Sequence, residues 1–407
     1  MIPLPTSLLT ALGDADVRAT EFTGVHVDSR RVVAGDLFVA VGGGVEFLDD
    51  AIGRGAAATL VPHEPFAALA AIGTTVRGLS SARVVGITGS MGKTSTKDIL
   101  AALCMPAVRT VAAEASYNNE IGVPLTLCRL EPDTEVCILE LAMRGFGQIA
   151  ALCAIARPDI GIITNIGPVH LELVESLDGV RRAKSELIDA LPRGGTAIVP
   201  EDFPVARSDV TVVRVPPAQG RVEDGRTIVD DVSFNFIAGH QAANAAAALA
   251  ALDALGLPRP ANADVEFSRW RGEEDELPGG GLLINDAYNA NPVSMRAALA
   301  YLAARAEGRR TVAILGDMAE LGRTAPAYHR EVGDAAAELG VDEVLAVGEL
   351  ARGYLERGAP GRSVPNVHEA LRVLPDVVRP GDAVLVKASR ALGLEAVADA
   401  LTGVAAQ

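Results

Sequence analysis

In the string GITGSMGKTSTK, residues 86–97, an apolar run that ends near Ile87 passes through glycines into a helical pattern opening on Lys93-Thr94. Consecutive backbone N–H groups at a helix N-terminus, where the dipole leaves roughly half a positive charge, make a cradle for polyphosphate. Gly89, Ser90, Met91, Gly92, Lys93, Thr94 and Ser95 are therefore nucleotide-binding candidates. Lys93 is placed to reach the outer phosphates and the Thr94 hydroxyl to ligate magnesium. The spacing departs from the common phosphate loop, because the slot of its first glycine holds Ile87.

Other polar groups recur where apolar runs stop. Glu140 follows residues 136–139, and Thr164-Asn165 and then His170 follow residues 160–163. Ligands of open parallel sheets gather at the carboxyl ends of the strands, so Glu140 and His170 are expected to face the crevice of the loop. Glu140 offers hard oxygen to magnesium, whereas an isolated histidine is more often structural. In residues 178–191, Val180, Leu187, Ile188 and Leu191 form the apolar face, and Lys184 and Glu186 read as lying off it. From spacing alone Lys184 is a solvated lysine. His240, Gln241 and Asn244 open an alanine-rich helix, where amides either read an adenine edge or cap the helix. Asp28-Ser29-Arg30 reads equally as a binding trio or as a turn with a surface ion pair.

Elements must position these groups. A chain of 407 residues is too long for one core. Short strand-like pieces fill residues 1–81, and strand-like and helical runs alternate in 82–263 and again in 264–407, which predicts α/β domains with mostly parallel sheets. In the last segment, strands are expected at 282–284, 311–315, 343–347 and 383–386, with polar ends at Asn285-Asp286, Gly316-Asp317 and Lys387. The net charge of −16 argues against nonspecific nucleic-acid or anionic-membrane binding. Cys104, Cys128, Cys137 and Cys153 lack metal-ligand spacing and are expected as buried free thiols. Without a signal-like or membrane-spanning run, a cytoplasmic protein is expected.

Seven strings in order, GITGSMGKTSTK, YNNEIGVPLTL, RPDIGIITNIGPVHLE, RAKSEL, LLINDAYNANPVSMRAAL, ILGDMAELG and KASR, resemble the Mur ligases, most of all the branch that adds D-alanyl-D-alanine. The resemblance implies three α/β domains: a small N-terminal domain holding the uridine nucleotide (1–81), a central phosphate-loop ATPase-like parallel-sheet domain (82–263) and a Rossmann-like C-terminal domain (264–407). It implies a monomeric enzyme that joins D-alanyl-D-alanine to UDP-N-acetylmuramoyl-tripeptide through an acyl phosphate, with ATP and two magnesium ions.

By the same resemblance Thr94 and Glu140 hold one magnesium, and Glu140, His170 and Lys184 the second, with Lys184 as a carbamate. Lys93, Arg271 and Asp286 join the catalytic group, and Arg271, Asp286 and Asn244 complete the nucleotide site. Asn118, Asn119, Asn289, Asn291, Lys387 and Arg390 line the substrate side, and Asp28, Ser29 and Arg30 the uridine side. Residues 42–47, GGGVEF, lack the family's usual Asp-Gly-His. Another Mur-type amino-acid ligase, or an ATPase or phosphotransferase sharing the loop, are the alternatives.

Overall fold

The computed structural model describes residues 1–403 apart from Gln219 and Ala238, and the side chain of His240 is also outside the description. The described chain gathers into two compact units. One comprises residues 1–165, 182–236 and 242–266, and the other residues 166–181, 237–241 and 267 onward.

In the first unit, a four-stranded sheet runs Gly13–Val17, Ala58–Pro62, Asp36–Val39, Gly24–His26, antiparallel at its first pair and parallel elsewhere. The larger sheet is built on β1 (Arg83–Thr88), followed by α1 (Lys93–Cys104), β2 (Thr110–Ala112), β3 (Val136–Glu140), β4 (Ile160–Ile163), α2 (Leu177–Asp189), β5 (Thr196–Pro200) and β6 (Thr211–Val215). Its order is β6-β5-β4-β1-β3-β2, parallel throughout. The interior strands are apolar runs without alternation, as expected where both faces are covered. All residues of β3 and β4 are buried. β1 lies between β3 and β4, with Ile87 opposite Glu140 and Thr88 opposite Ile163. The carboxyl ends of these three strands thus lie at one level. A second four-stranded sheet, between Arg221 and Ala263, was not legible as strands because its pieces are short and partly exposed.

The second unit carries β7 (Glu273–Leu277), β8 (Gly281–Asn285), α3 (Pro292–Arg305), β9 (Thr311–Gly316), α4 (Ala325–Glu338), β10 (Glu343–Val347), β11 (Gly361–Val364) and β12 (Ala383–Lys387). The order is β7-β8-β12-β9-β10-β11, with only β7 antiparallel to its neighbour. Alternate residues of β9 feed two cores: Ala313 and Leu315 pack with Met295, Leu299 and Val332, and Val312 and Ile314 with Leu345, Leu374 and Val384. The expected strands of this segment are the inner ones. β7 and β11 form the edges, and their mostly exposed residues give no apolar run.

The four cysteines are free and buried, as expected. Among the described residues no helix is long and apolar enough to cross a membrane.

Candidate active site

The loop after β1 is shaped by its glycines. Gly89 and Gly92 have φ of 152° and 75°, and a Cβ on either would collide, with Thr164 Oγ1 at Gly89 and with Asn244 Oδ1 at Gly92. The loop is clamped from the end of β4. The Thr164 hydroxyl donates to the Met91 carbonyl at 2.5 Å, Asn165 Oδ1 accepts from the Met91 N–H at 3.0 Å, and the Ser90 N–H donates to the Asn165 carbonyl. Thr164 and Asn165 were legible only as polar residues at a strand end, and their grip on the loop was missed. Lys93 curls back, Nζ donating to the Gly89 carbonyl at 2.9 Å, while Thr94 and Ser95 are buried in the first turn of α1. Lys97, also missed, is buried and donates to the carbonyls of Ala113 and Ala115, tying α1 to the stretch before Asn118.

Glu140 is fully buried at the end of β3. Oε2 accepts from Asn118 Nδ2 at 3.2 Å, and Oε1 has no hydrogen-bond partner. A buried carboxylate oxygen left unpartnered is costly, and a hard cation is the ligand that such an oxygen suits. Asn119, by contrast, holds the turn that enters the short helix Gly122–Leu127, Oδ1 accepting from the N–H groups of Ile121 and Gly122.

The reading of Lys184 as a solvated residue is corrected. It is 2 % exposed. The positions 180, 184, 187, 188 and 191 fall on one helical stripe, so Lys184 shares the buried face of α2 with Val180 and Leu187. Neighbours fix the helix: Arg182 lies over the Phe146 ring at 4.6 Å, and the Glu186 carboxylate accepts from the N–H groups of Gly147 and Ala150. Burial, and next the charge of Lys93, push the Lys184 amine well below its ordinary range. A neutral amine is the form that can add carbon dioxide and become an anionic oxygen donor. Asn244 is buried against the phosphate loop at Gly92.

His170 belongs to the second unit, whereas Glu140 and Lys184 belong to the first. It stands at the N-terminus of a single helical turn, Leu171–Val174, with φ of 53°, and its Nδ1 is bonded to Glu320 Oε2. Among the described residues no cluster of three or more His, Cys, Asp or Glu is arranged for a metal.

Also in the second unit, Arg271 stacks on Tyr288 at 4.0 Å, with its buried Nε left without an acceptor. Lys387 is 2 % exposed and donates to Asp286 Oδ2 at 2.5 Å and to the Asn289 carbonyl at 2.8 Å. Asn291 caps α3 in a reciprocal box with Ser294, so the motif residue also starts the helix. Arg390 stacks on Trp270 at 4.3 Å and pairs with Glu395. In the first unit, Asp28 accepts from the backbone and guanidinium of Arg30, which draw its carboxyl down to about 2, and Ser29 is buried. Residues Gly42–Phe47 form a 3-10 turn exposing Val45 and Phe47.

Two family regions match the chain: the Mur ligase middle domain over residues 87–252, which holds the phosphate loop, Glu140, His170, Lys184 and Asn244, and the Mur ligase, glutamate ligase domain over 271–390, which holds Arg271, Asp286, Lys387 and Arg390. The chain belongs to the Mur ligase family. A UDP-N-acetylmuramoyl-tripeptide--D-alanyl-D-alanine ligase of Mycobacterium tuberculosis is 38 % identical over 82 % of this chain and 76 % of its own. MurF of Acinetobacter baumannii superposes with a TM-score of 0.86 at 27 % identity, covering 98 % of this chain and 99 % of its own. The MurF ligase of Thermotoga maritima, solved in complex with ADP, gives 0.79 at 27 % identity over 94 % and 97 %. This family member is accordingly an α/β protein of the three-domain Mur ligase architecture, as the sequence led one to expect.

Proposed function

We propose that this Mur ligase joins D-alanyl-D-alanine to the terminal carboxylate of UDP-N-acetylmuramoyl-tripeptide at the expense of ATP, giving a pentapeptide precursor of peptidoglycan. The reaction class and the branch rest on the relatives named above. The residue assignments rest on one observation: beside the phosphate loop, a fully buried Glu140 keeps an unpartnered oxygen.

Two anions, a carboxylate and a triphosphate, must meet, so positive charge has to be supplied where charge develops. The loop N–H groups and Lys93 supply part of it. Magnesium, held by Thr94 and Glu140 and at a second position by Glu140, His170 and the carbamate of Lys184, would supply the rest by Lewis-acid polarisation of phosphoryl oxygens. Asn118 orients Glu140 and holds its second oxygen. The loop binds ATP, Asn244 takes the adenine side, and Arg271 and Asp286 complete the nucleotide site. Asn119, Asn289, Asn291, Lys387 and Arg390 serve the peptide side, and Asp28, Ser29 and Arg30 the uridine side. The division at 1–81, 82–263 and 264–407, a single-chain enzyme and a cytoplasmic site of action belong to the same reading.

The test is phosphate release from ATP with UDP-muramoyl-tripeptide, with and without D-alanyl-D-alanine, alongside L-glutamate, L-alanine, L-lysine and diaminopimelate. Release that requires the dipeptide supports the proposal. Release with another amine moves the enzyme to a different branch, and release indifferent to amines reduces it to an ATPase.

A further inference from the structure

The string GDMAELG, residues 316–322, has no role in the chemistry above, yet it presents one carboxylate to one imidazole. We infer that Glu320 is a positioning residue for His170: it holds Nδ1 and so leaves Nε2 as the nitrogen that ligates the metal. The inference rests on the assignment of His170 as a metal ligand and adds the group that makes it one.

The mount of Glu320 is rigid. Met318 and Leu321 are buried in the core beneath α3 and α4. The Met318 N–H donates to His329 Nε2 at 3.0 Å, the Ala319 N–H donates to Ser389 Oγ at 2.8 Å, and Asp317 Oδ1 accepts from the Ala351 N–H at 2.7 Å. Glu320 itself has φ of 62° and His170 of 53°, both left-handed for residues with a Cβ. Such conformations are unfavourable and persist where the surroundings fix them. The turn also meets the His170 segment sideways: a Cβ on Gly322 would lie 3.1 Å from Glu172 Cγ, a fit that leaves little room for a larger residue.

Chemically, a carboxylate on one imidazole nitrogen fixes the tautomer, turns the ring and raises the basicity of the other nitrogen. His170 carries 24 % side-chain exposure, so its ring is not wholly covered by Glu320. Glu320 and His170 are 150 residues apart in sequence, on segments 316–322 and 166–181, and the contact makes the ligand's orientation depend on the C-terminal motif.

Binding of Mn2+ alone, followed by loss of the free-ion paramagnetic resonance signal, tests this in wild type, Glu320→Ala, Glu320→Gln, His170→Ala and the His170→Ala/Glu320→Ala double variant, each first checked for an unchanged thermal midpoint. Glu320→Ala is expected to weaken Mn2+ by about tenfold or more. Glu320→Gln, which still accepts from Nδ1, should recover part of the loss, and Glu320→Ala should add nothing in the His170→Ala background. Affinity of Glu320→Ala within twofold of wild type, or an equal loss in both backgrounds, overturns the inference. If His170→Ala itself leaves Mn2+ affinity unchanged, it is the ligand assignment of His170 that fails. If His170→Ala weakens Mn2+ and Glu320→Ala does not, only the role of Glu320 fails.

Discussion

Lys387 Nζ lies 2.5 Å from Asp286 Oδ2, so two residues 101 positions apart, which the family pattern assigns to different substrates, are one ion pair in the second unit. The same ammonium holds the Asn289 carbonyl at 2.8 Å. It therefore organises the whole turn after β8. Removing one partner of a buried pair leaves the other charge stranded. Lys387→Met is expected to destabilise the protein by about 3 kcal/mol, the lower end of the usual range, since Asp286 keeps 23 % exposure. Denaturant unfolding checks the stability. Assays at saturating ATP and at saturating peptide show whether both substrates are affected, as one shared pair requires.

Lys93→Ala should lower kcat/KM by roughly 2–4 kcal/mol of transition-state stabilisation, the loss expected for one preorganised donor to developing charge. The fall should appear in kcat more than in the KM for the tripeptide. A steady-state assay in which only the tripeptide KM moves would contradict the phosphate role.

Lys184 makes two linked predictions. Lys184→Ala should reduce turnover sharply, with high bicarbonate restoring little, and activity within twofold of wild type in the phosphate-release assay would sink its role as a ligand. Stability should move the other way. Because burial and Lys93 depress its affinity for protons in the folded state, the unfolded chain binds the extra proton below the ordinary lysine value of 10.5. In buffer depleted of carbon dioxide, Lys184→Met should therefore unfold at a higher temperature than wild type at pH 7.5, and the difference should shrink as pH rises toward 10.

Thr164→Val removes the hydroxyl that holds the Met91 carbonyl without changing side-chain volume. The Met91 carbonyl keeps a second hydrogen bond, from Asn165 Nδ2 at 3.2 Å, so the loss of one of the two, worth about 0.5–1.5 kcal/mol, predicts a KM for ATP raised roughly two- to tenfold. Titration with a fluorescent ATP analogue gives the same quantity as a binding constant, and an unchanged constant would show that the loop keeps its shape without the clamp.

Acid should weaken the fold through two histidines, one fully and one partly buried. His329 is fully buried, donating from Nδ1 to the Ala325 carbonyl and accepting at Nε2 from Met318, and burial lowers its proton affinity below the ordinary 6.5. His26 is shifted the same way, again chiefly by burial. The unfolded chain then binds more protons, so this contribution is complete above about pH 6.5 and is lost as pH falls through that value toward the lower folded ones. Urea midpoints at pH 7.5 and 5.5 should differ in that direction. His329→Gln should be less stable at pH 7.5 and show a shallower decline.

What could be read in the chain follows from what each residue has to do locally. The phosphate loop was legible because glycine spacing, a lysine and a helix start all fall within a dozen residues, and the inner strands because burial on both faces leaves unbroken apolar runs. The edges were not: β7 is Glu-Glu-Asp-Glu-Leu, whose exposed residues carry charge where an inner strand carries Val and Ile. Lys184 was misplaced because a charged side chain was assumed to mark the outer face, although its position sits on the apolar stripe. His170 and Glu320 could not be paired from sequence at all. Their contact depends on how two segments fold back on each other.

Trp270 is the single tryptophan of the chain, and its indole lies under the Arg390 guanidinium and beside Arg269, one residue from Arg271. The protein thus carries a native optical probe in the second unit. Its emission, uncontaminated by any other indole, is expected to respond when the guanidinium groups of Arg390 and Arg269 beside it shift. Stopped-flow fluorescence of the unmodified protein should therefore register substrate if Arg390 and Arg271 serve the site as proposed, with no label and no engineered residue.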